Sequence, residues 1–360
     1  MRVGLRCDAN PEMGVGHVMR CVALAEALVA RGDDVVFLAS ITGVDWLAGQ
    51  LPAPCVPGEW EPDRLVEQAR SLELDAVVLD SYELDPAAAG RLSGSGVATL
   101  AVVDGDSRGQ EADLFLDQNL GATAAIGGGS WLVGLRYALV RSAVTARRPP
   151  APRPASGEHP RVLCVFGGTD TFGAASVAAE TLTRTAVPLD ATVITAGRPG
   201  PWPPPAPGQT LTFVDHAADL PALVAEAHLV VSASGTSTWD LLCLGVPTAL
   251  LWVVDNQAAG YHRTVDAGLA IGVGHLDDLR QDAAPAVRTL REALLDPRAR
   301  QQLGAMAWGA VDGQGADRVA TALAAVAAAR RPVWDRPGNL RDGAVIDAVH
   351  CAYGQGLPAS

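Results

Sequence analysis

A histidine set among glycines at a strand-to-helix junction is where chemistry would start in this chain. Gly14-Val15-Gly16-His17 follows an apolar strand pattern at residues 3–6 and leads into a helix pattern at 19–31, closed by Gly32. Glycines such as Gly14 and Gly16 let the backbone pass close to a ligand. A helix N-terminus offers N–H groups and the positive end of a dipole, which suit a diphosphate. A neutral imidazole takes a proton near pH 7, so His17, facing a cleft and not the core, is a candidate base. The plain alternative is a loop or capping histidine.

Three further segments carry reactive side chains at strand ends. Leu79-Asp80-Ser81-Tyr82 closes a strand pattern, where Asp80 could orient a histidine or bind a sugar hydroxyl and Tyr82 could donate a hydrogen bond. Ordinary turn chemistry is the alternative. Ser232-Ala233-Ser234-Gly235-Thr236-Ser237-Thr238-Trp239-Asp240 runs from a strand through small residues into a helix. Its backbone N–H groups and the Ser234, Thr236, Ser237 and Thr238 hydroxyls make a metal-free phosphate cradle, or merely cap the helix. Gly167-Gly168-Thr169-Asp170 is a weaker junction of the same kind. In Asp255-Asn256-Gln257, Asn256 could hold a sugar or phosphate through an amide that both donates and accepts, or cap a helix.

Composition removes other chemistries. The chain has 360 residues and a formal net charge of -13, so it repels phosphate backbones and is not expected to bind nucleic acid. All 27 Lys-plus-Arg positions are arginine, which excludes a Schiff-base or Walker lysine. The six cysteines form no C-x-x-C pair and several sit in apolar patterns, as buried free thiols do. The seven histidines lack zinc-like spacing, so no metal and no cofactor is expected. No apolar run reaches membrane length, no signal peptide opens the chain, and a cytoplasmic protein without membrane insertion is expected. There is no G-x-S-x-G elbow and no complete dinucleotide fingerprint. Asp215-His216 resembles a relay pair only in sequence, since neighbours rarely face each other.

These residues need a scaffold that brings strand ends together. Strand patterns at 34–38, 76–79 and 99–103 alternate with helix patterns, notably at 62–71, which argues for a parallel sheet covered by helices. Residues 147–160 hold Pro149, Pro150, Pro152, Pro154 and Pro160 and read as a semi-rigid linker. Strand patterns resume at 161–166, 191–195, 210–214, 228–232 and 248–252, with helices at 173–184, 220–227 and 238–244. Residues 199–207 are Pro-rich and read as a surface loop, while 127–129 are three glycines read as a turn. The expected organisation is an α/β N-terminal domain at 1–146, the linker, and an α/β C-terminal domain at 161–331 that ends in an Ala-rich helix. A tail of unassigned order follows at 332–360. In such sheets ligands bind beyond the carboxyl ends of the strands, and two facing domains make a cleft. Oligomeric state is open.

Taken in order, the motifs resemble those of the UDP-sugar hydrolase family of pseudaminic acid biosynthesis and its spore-coat polysaccharide relatives. The matching segments are Arg6-Cys7-Asp8, Gly14 through Cys21, Asp80-Ser81-Tyr82, Leu116-Asp117-Gln118-Asn119, Tyr137-Ala138-Leu139-Val140-Arg141, Phe166 through Asp170, Ser232 through Asp240 and Asp255-Asn256-Gln257. The resemblance implies a glycosyltransferase-B fold of two Rossmann-like domains, with nucleotide on the C-terminal domain and sugar towards the N-terminal one. It implies a metal-independent hydrolase that cleaves a UDP-linked deoxy-diacetamido sugar with inversion. His17 would activate water, Tyr82 and Asn256 would place sugar and nucleophile, and Asp80 would meet the sugar. Gly14, Gly16, Gly167, Gly168, Ser234, Gly235, Thr236, Ser237, Thr238, Asp240 and Gln257 would line the nucleotide and its phosphates. A glycosyltransferase of the same architecture is the alternative, and a sugar-nucleotide sensor a third. The chain departs from the family at Asp240 (usually Glu), at Ser234 (usually Gly), and at Asp104-Gly105-Asp106, which replaces a paired acidic motif.

Overall fold

The computed structural model describes residues 1–330 except 59, 126, 127, 156 and 158. The tail at 332–360, with Cys351, and Gly127 of the glycine turn therefore lie outside the described residues. Two parallel sheets organise the chain. The first comprises β1 (Arg2–Ala9), β2 (Asp34–Ile41), β3 (Cys55–Val56), β4 (Ala76–Asp80), β5 (Ala98–Val102), β6 (Leu114–Asp117) and β7 (Ser130–Val133). Its spatial order is β3-β2-β1-β4-β5-β6-β7. The helices α1 (Gly16–Ala30), α2 (Pro62–Ser71) and α3 (Ala87–Gly94) connect these strands. β4 and β5 are buried along their whole length, as central strands covered on both faces must be.

The second sheet comprises β8 (Arg161–Val165), β9 (Leu189–Ile194), β10 (Gln209–Val214), β11 (Leu229–Ala233), β12 (Thr248–Trp252) and β13 (Ile271–His275), in the order β10-β9-β8-β11-β12-β13. Its helices are α4 (Ser142–Thr145), α5 (Ala174–Arg184), α6 (Leu220–Glu226), α7 (Ser237–Leu244), α8 (Asp255–Asp266), α9 (Leu276–Gln281), α10 (Ala284–Leu295) and α11 (Pro297–Ala310).

Both sheets share one topological event. In the first, the chain runs outward from β1 to β2 and β3, then returns to lay β4 on the other side of β1. In the second, it runs from β8 to β9 and β10 and returns with β11. At such a reversal the loops leaving the two central strands diverge to opposite faces and open a crevice. That rule places the crevices at the carboxyl ends of β1/β4 and β8/β11. His17 and Asp80 belong to the first pair, and the loops at Gly167 and Ser234 to the second.

The compact units differ from the expected boundaries. Among the described residues, unit 1 is Met1–Gln118, Ala122–Tyr137 and 316–330; unit 2 is Asn119–Gly121 and Ala138–Gly315. The Ala-rich helix α12 (Gly315–Ala329) thus groups with the first unit, whereas its position in sequence places it with the second. Its apolar side buries Val319, Ala320 and Leu323. Arg31 Nη1 donates to Thr321 Oγ1 at 3.2 Å, and Arg318 Nη1 to Arg136 O at 2.8 Å. Arg330 pairs with Asp113 and donates to Ser93 O. These partners are distant in sequence, so composition could not reveal them. Cys7, Cys21, Cys164 and Cys243 are buried free thiols, and Cys55 is half-buried. No described helix is long and apolar enough to cross a membrane.

Candidate functional site

In unit 1 the chain leaves β1 through a tight loop. Gly14 N donates to Asn10 O at 2.8 Å, and Asn10 Oδ1 accepts from the backbone of Glu12 (2.9 Å) and Met13 (2.7 Å). Gly14 has φ +81, a left-handed conformation that side chains rarely adopt, so glycine is needed there. The turn delivers Gly16 as the first residue of α1, whose N-cap, Val15, makes no side-chain capping bond.

His17 follows in the first turn. The cleft-facing histidine expected from the sequence is largely covered, at 7% exposure. Two groups cover it. Asp80, last residue of β4, lies with Oδ1 2.7 Å from His17 Nδ1. The Tyr82 ring stands edge-on to the imidazole, at 4.6 Å between centroids and 87° between planes. An ionised carboxylate only accepts hydrogen bonds, so in the neutral imidazole the shared proton sits on Nδ1 and the lone pair on Nε2; Arg20 Nη2, 3.1 Å from the same Nδ1, directs its hydrogen to Asp80 Oδ1. This is how a carboxylate prepares a histidine base.

Asp80 is fully buried, which by itself favours the neutral acid. Arg20 reverses that. Its Nε donates to Asp80 Oδ2 at 2.6 Å and its Nη2 to Oδ1, one helical turn beyond His17 on the same face of α1. Although burial acts to raise it, the Asp80 pKa is held well below the usual carboxylate range by Arg20's charge, His17 and both hydrogen bonds. Burial likewise opposes Arg20's charge, yet Asp80 raises Arg20 above its ordinary value. Both groups are ionised around neutral pH. Cys21 Sγ donates to Asp80 Oδ2 at 3.6 Å; neighbouring Cys7 and burial push this thiol up and keep it protonated.

Tyr82 is 43% exposed, just beyond the end of β4. Its hydroxyl donates to Asp104 Oδ2 in a short hydrogen bond. Burial, then the Asp104 charge and hydrogen bond, raise its pKa well above the usual phenol range, so it stays protonated. Arg108 packs over the ring at 4.9 Å and donates to the carbonyls of Tyr82 (2.9 Å) and Ser81 (3.1 Å). The sequence flagged Asp104 only as a departure and gave Arg20 no role. For Arg20 a signal existed, since residues three apart on a helix share a face. For Asp104 it did not, because the contact depends on β5 lying beside β4.

In unit 2 the small-residue loop before α7 is assembled at β11 and β12. Ser234 N donates to Leu251 O at 2.8 Å, which pins the loop to the neighbouring strand. Gly235 follows, and α7 starts at Ser237 with Thr236 as an N-cap that makes no side-chain capping bond. Thr238 is 1% exposed, and its Oγ1 is a buried oxygen with no hydrogen-bond partner among the described residues. A hydroxyl used as an ordinary cap would be bonded to the helix, and this one is not. The first turn of α8 packs close by: a Cβ on Gly235 would lie 4.0 Å from Gln257 Nε2, and one on Gly260 3.7 Å from Ser234 Oγ. Gln257 Oε1 accepts from Val253 N at 3.0 Å, which fixes that amide. Asn256 is exposed on the same turn. Asp240 pairs with Arg141 Nη2 at 3.3 Å, so two of the motifs meet.

Gly167 and Gly168 turn the chain out of β8, Gly167 with φ +70. Beyond them Asp170 is engaged structurally, accepting from Ala174 N (2.8 Å) and Ala175 N (3.2 Å) at the start of α5. Burial raises its pKa against those bonds. Asp215 Oδ1 accepts from Thr195 Oγ1 at 2.8 Å, a bond that has nothing to do with His216. Among the described residues no group of three or more His, Cys, Asp or Glu side chains is arranged to hold a metal.

Two Rossmann-like parallel sheets with this topology define a glycosyltransferase-B fold, and solved structures of that kind are what the chain is similar to. MurG of Acinetobacter baumannii superposes with a TM-score of 0.67 at 16% identity, covering 90% of this chain and 99% of that one. The glycosyltransferase VinC in complex with dTDP gives 0.63 at 15%, covering 91% and 100%. A putative UDP-N-acetylglucosamine 2-epimerase from Listeria monocytogenes gives 0.59 at 14%, covering 94% and 99%. No protein-family model and no curated protein matches the sequence.

Proposed function

We propose that this protein is a nucleotide-sugar hydrolase, in which His17 activates water and the small-residue loop before α7 binds the nucleoside diphosphate. The carrying observation is the His17–Asp80 hydrogen bond, which leaves Nε2 as a base at a helix N-terminus. Water would lose its proton to Nε2 as its oxygen attacks the anomeric carbon. The C–O bond to the diphosphate would break with its electron pair departing on phosphate oxygen. A single displacement of this kind inverts the anomeric centre. Charge grows on the leaving diphosphate, and uncapped helix N-termini stabilise it most in the transition state. Of the two roles open to Asp80 in sequence, full burial favours orienting His17 over touching the sugar.

The order of motifs supports UDP and a deoxy-diacetamido sugar, as in the pseudaminic acid family. A glycosyltransferase is the second reading, favoured by MurG and VinC among the similar structures. There His17 would take the proton from an acceptor hydroxyl. The experiment is UDP release from a panel of UDP-amino sugars with water as the only acceptor. Turnover supports the hydrolase. Tight UDP binding without turnover favours the transferase.

Two substitutions probe the arrangement. Tyr82→Phe removes the hydroxyl and its bond to Asp104; kcat is expected to fall about tenfold, with the melting temperature unchanged because the ring is exposed on one side. An unchanged rate would reduce Tyr82 to turn chemistry. Thr238→Val deletes a buried oxygen that has no partner within the described residues, so apo stability should hold or rise slightly. UDP affinity should drop about tenfold, the value of roughly one hydrogen bond to a charged ligand. Calorimetric titration with UDP reads this directly, and an unaltered Kd would remove Thr238 from the phosphate site.

A further inference from the structure

We propose that Arg20 is a positioning residue that sets His17 and Tyr82 in one geometry by holding two carboxylates with a single guanidinium. The inference rests on the reading of His17 as the base and concerns how that site is held. Nε and Nη2 of Arg20 grip both oxygens of Asp80, and Asp80 Oδ1 takes the Nδ1 proton of His17. The third nitrogen, Nη1, lies 3.5 Å from Asp104 Oδ1, and Asp104 Oδ2 takes the Tyr82 proton. The chain of contacts therefore runs His17–Asp80–Arg20–Asp104–Tyr82 and closes on itself where the Tyr82 ring meets the imidazole.

Chemistry explains why arginine fits. Asp80 terminates β4 and Asp104 lies just beyond β5, so two carboxylates approach from adjacent strands. Left alone they would repel, and the buried Asp80 would lose the charge that keeps it ionised. A guanidinium is planar, permanently charged and presents donors in a fixed fork, so one plane can serve two acceptors at a set angle. An ammonium is a point charge without that angular memory. Arg20 is 5% exposed, and its own helix position is three residues from His17. Movement of the guanidinium would therefore disturb the base and the tyrosine together.

The test is a kinetic cycle with a spectroscopic arm. In Arg20→Lys, kcat for nucleotide-sugar hydrolysis is expected to fall about 100-fold, the usual cost of an ångström-scale misplacement. KM and the Kd for UDP should stay within about threefold, because binding groups are intact. Tyr82→Phe should cost far less in the Arg20→Lys background than in the parent, since the tyrosine is already misplaced. Parent-like kcat, or full additivity of the two substitutions, would overturn the proposal. The spectroscopic arm needs no substrate. The edge-on Tyr82 ring shifts the His17 ring-proton resonances, and Arg20→Lys should move them towards those of a histidine without that neighbour. Resonances that do not move would also overturn it. Should Arg20→Lys fail to fold, Asp104→Ala removes only the second arm, at a side chain that is 30% exposed. It should move the same resonances and lower kcat about tenfold; unmoved resonances would again refute the hub. If the parent hydrolyses no nucleotide-sugar, the functional reading falls while the spectroscopic arm still decides the role of Arg20.

Discussion

Replacement of His17 by alanine is expected to lower hydrolytic kcat about 1,000-fold, within the range of general-base contributions and equal to roughly 4 kcal/mol of barrier. Some turnover should survive, because helix N-termini still stabilise the leaving diphosphate. The Kd for UDP should stay within about threefold, since the proposed phosphate cradle belongs to a separate unit with its own core. Folding should survive too. Asp80 keeps its two bonds to Arg20, so no charge is orphaned, and the loss is one hydrogen bond of about 2 kcal/mol. His17→Gln is the sharper variant, as it fills the space and keeps a polar group but cannot take a proton. If steady-state kinetics show more than a tenth of the parental rate for His17→Gln, the base lies elsewhere. Loss of UDP binding in either variant would move His17 from chemistry to nucleotide recognition.

The sequence made His17 legible because its setting is local. Glycines at 14 and 16, a strand before and a helix after are all within twenty residues, and the positive φ of Gly14 is what such a glycine supplies. The small-residue loop before α7 was legible for the same reason. The partners of those residues were legible only in part. Asp80 stands at the end of an apolar run, so a strand end at the ligand edge could be read, but not that its carboxylate lies against α1. That contact requires β4 to lie beside β1, with Cys7 and Asp80 in register, and nothing in either segment encodes the pairing. The order of the strands decides it. β3, with two residues, and β7, four residues of which only Leu132 is buried, carry too little pattern to be recognised. The helix α12 misled for another reason. An alanine-rich helix carries a weak apolar stripe, and its arginines are fixed by carbonyls and an acid from remote turns, so its sequence neighbours say little about where it packs.

Asp80→Asn should silence the enzyme by a route unlike the loss of His17. The amide keeps the shape of the carboxylate but can donate to Nδ1. The imidazole then turns to the other tautomer, with the proton on Nε2 and no lone pair for water. A loss of about 10³–10⁴ in kcat is expected, as for other histidines that lose an orienting carboxylate. Stability should also suffer, because Arg20 loses its nearer counter-charge and keeps only Asp104 at 3.5 Å, a cost of at most about 3–5 kcal/mol. The sign of the pH dependence follows from the depressed Asp80 pKa. Stabilisation from this group is complete above the unfolded-state value of about 4 and is lost as pH falls below it towards the folded-state value. Denaturant melts of parent and Asp80→Asn should therefore differ strongly at pH 7 and converge as pH falls through the acid range below about 4. A constant difference across that range would show that Asp80 is not held ionised by Arg20. The double variant Arg20→Met/Asp80→Leu separates structure from chemistry. It removes both charges and fills the space with apolar groups, which should recover most of the lost stability. It should recover none of the rate, because the imidazole has lost the group that fixes its tautomer. Recovery of rate along with stability would mean that the buried pair only supports the fold, and that His17 needs no carboxylate to act.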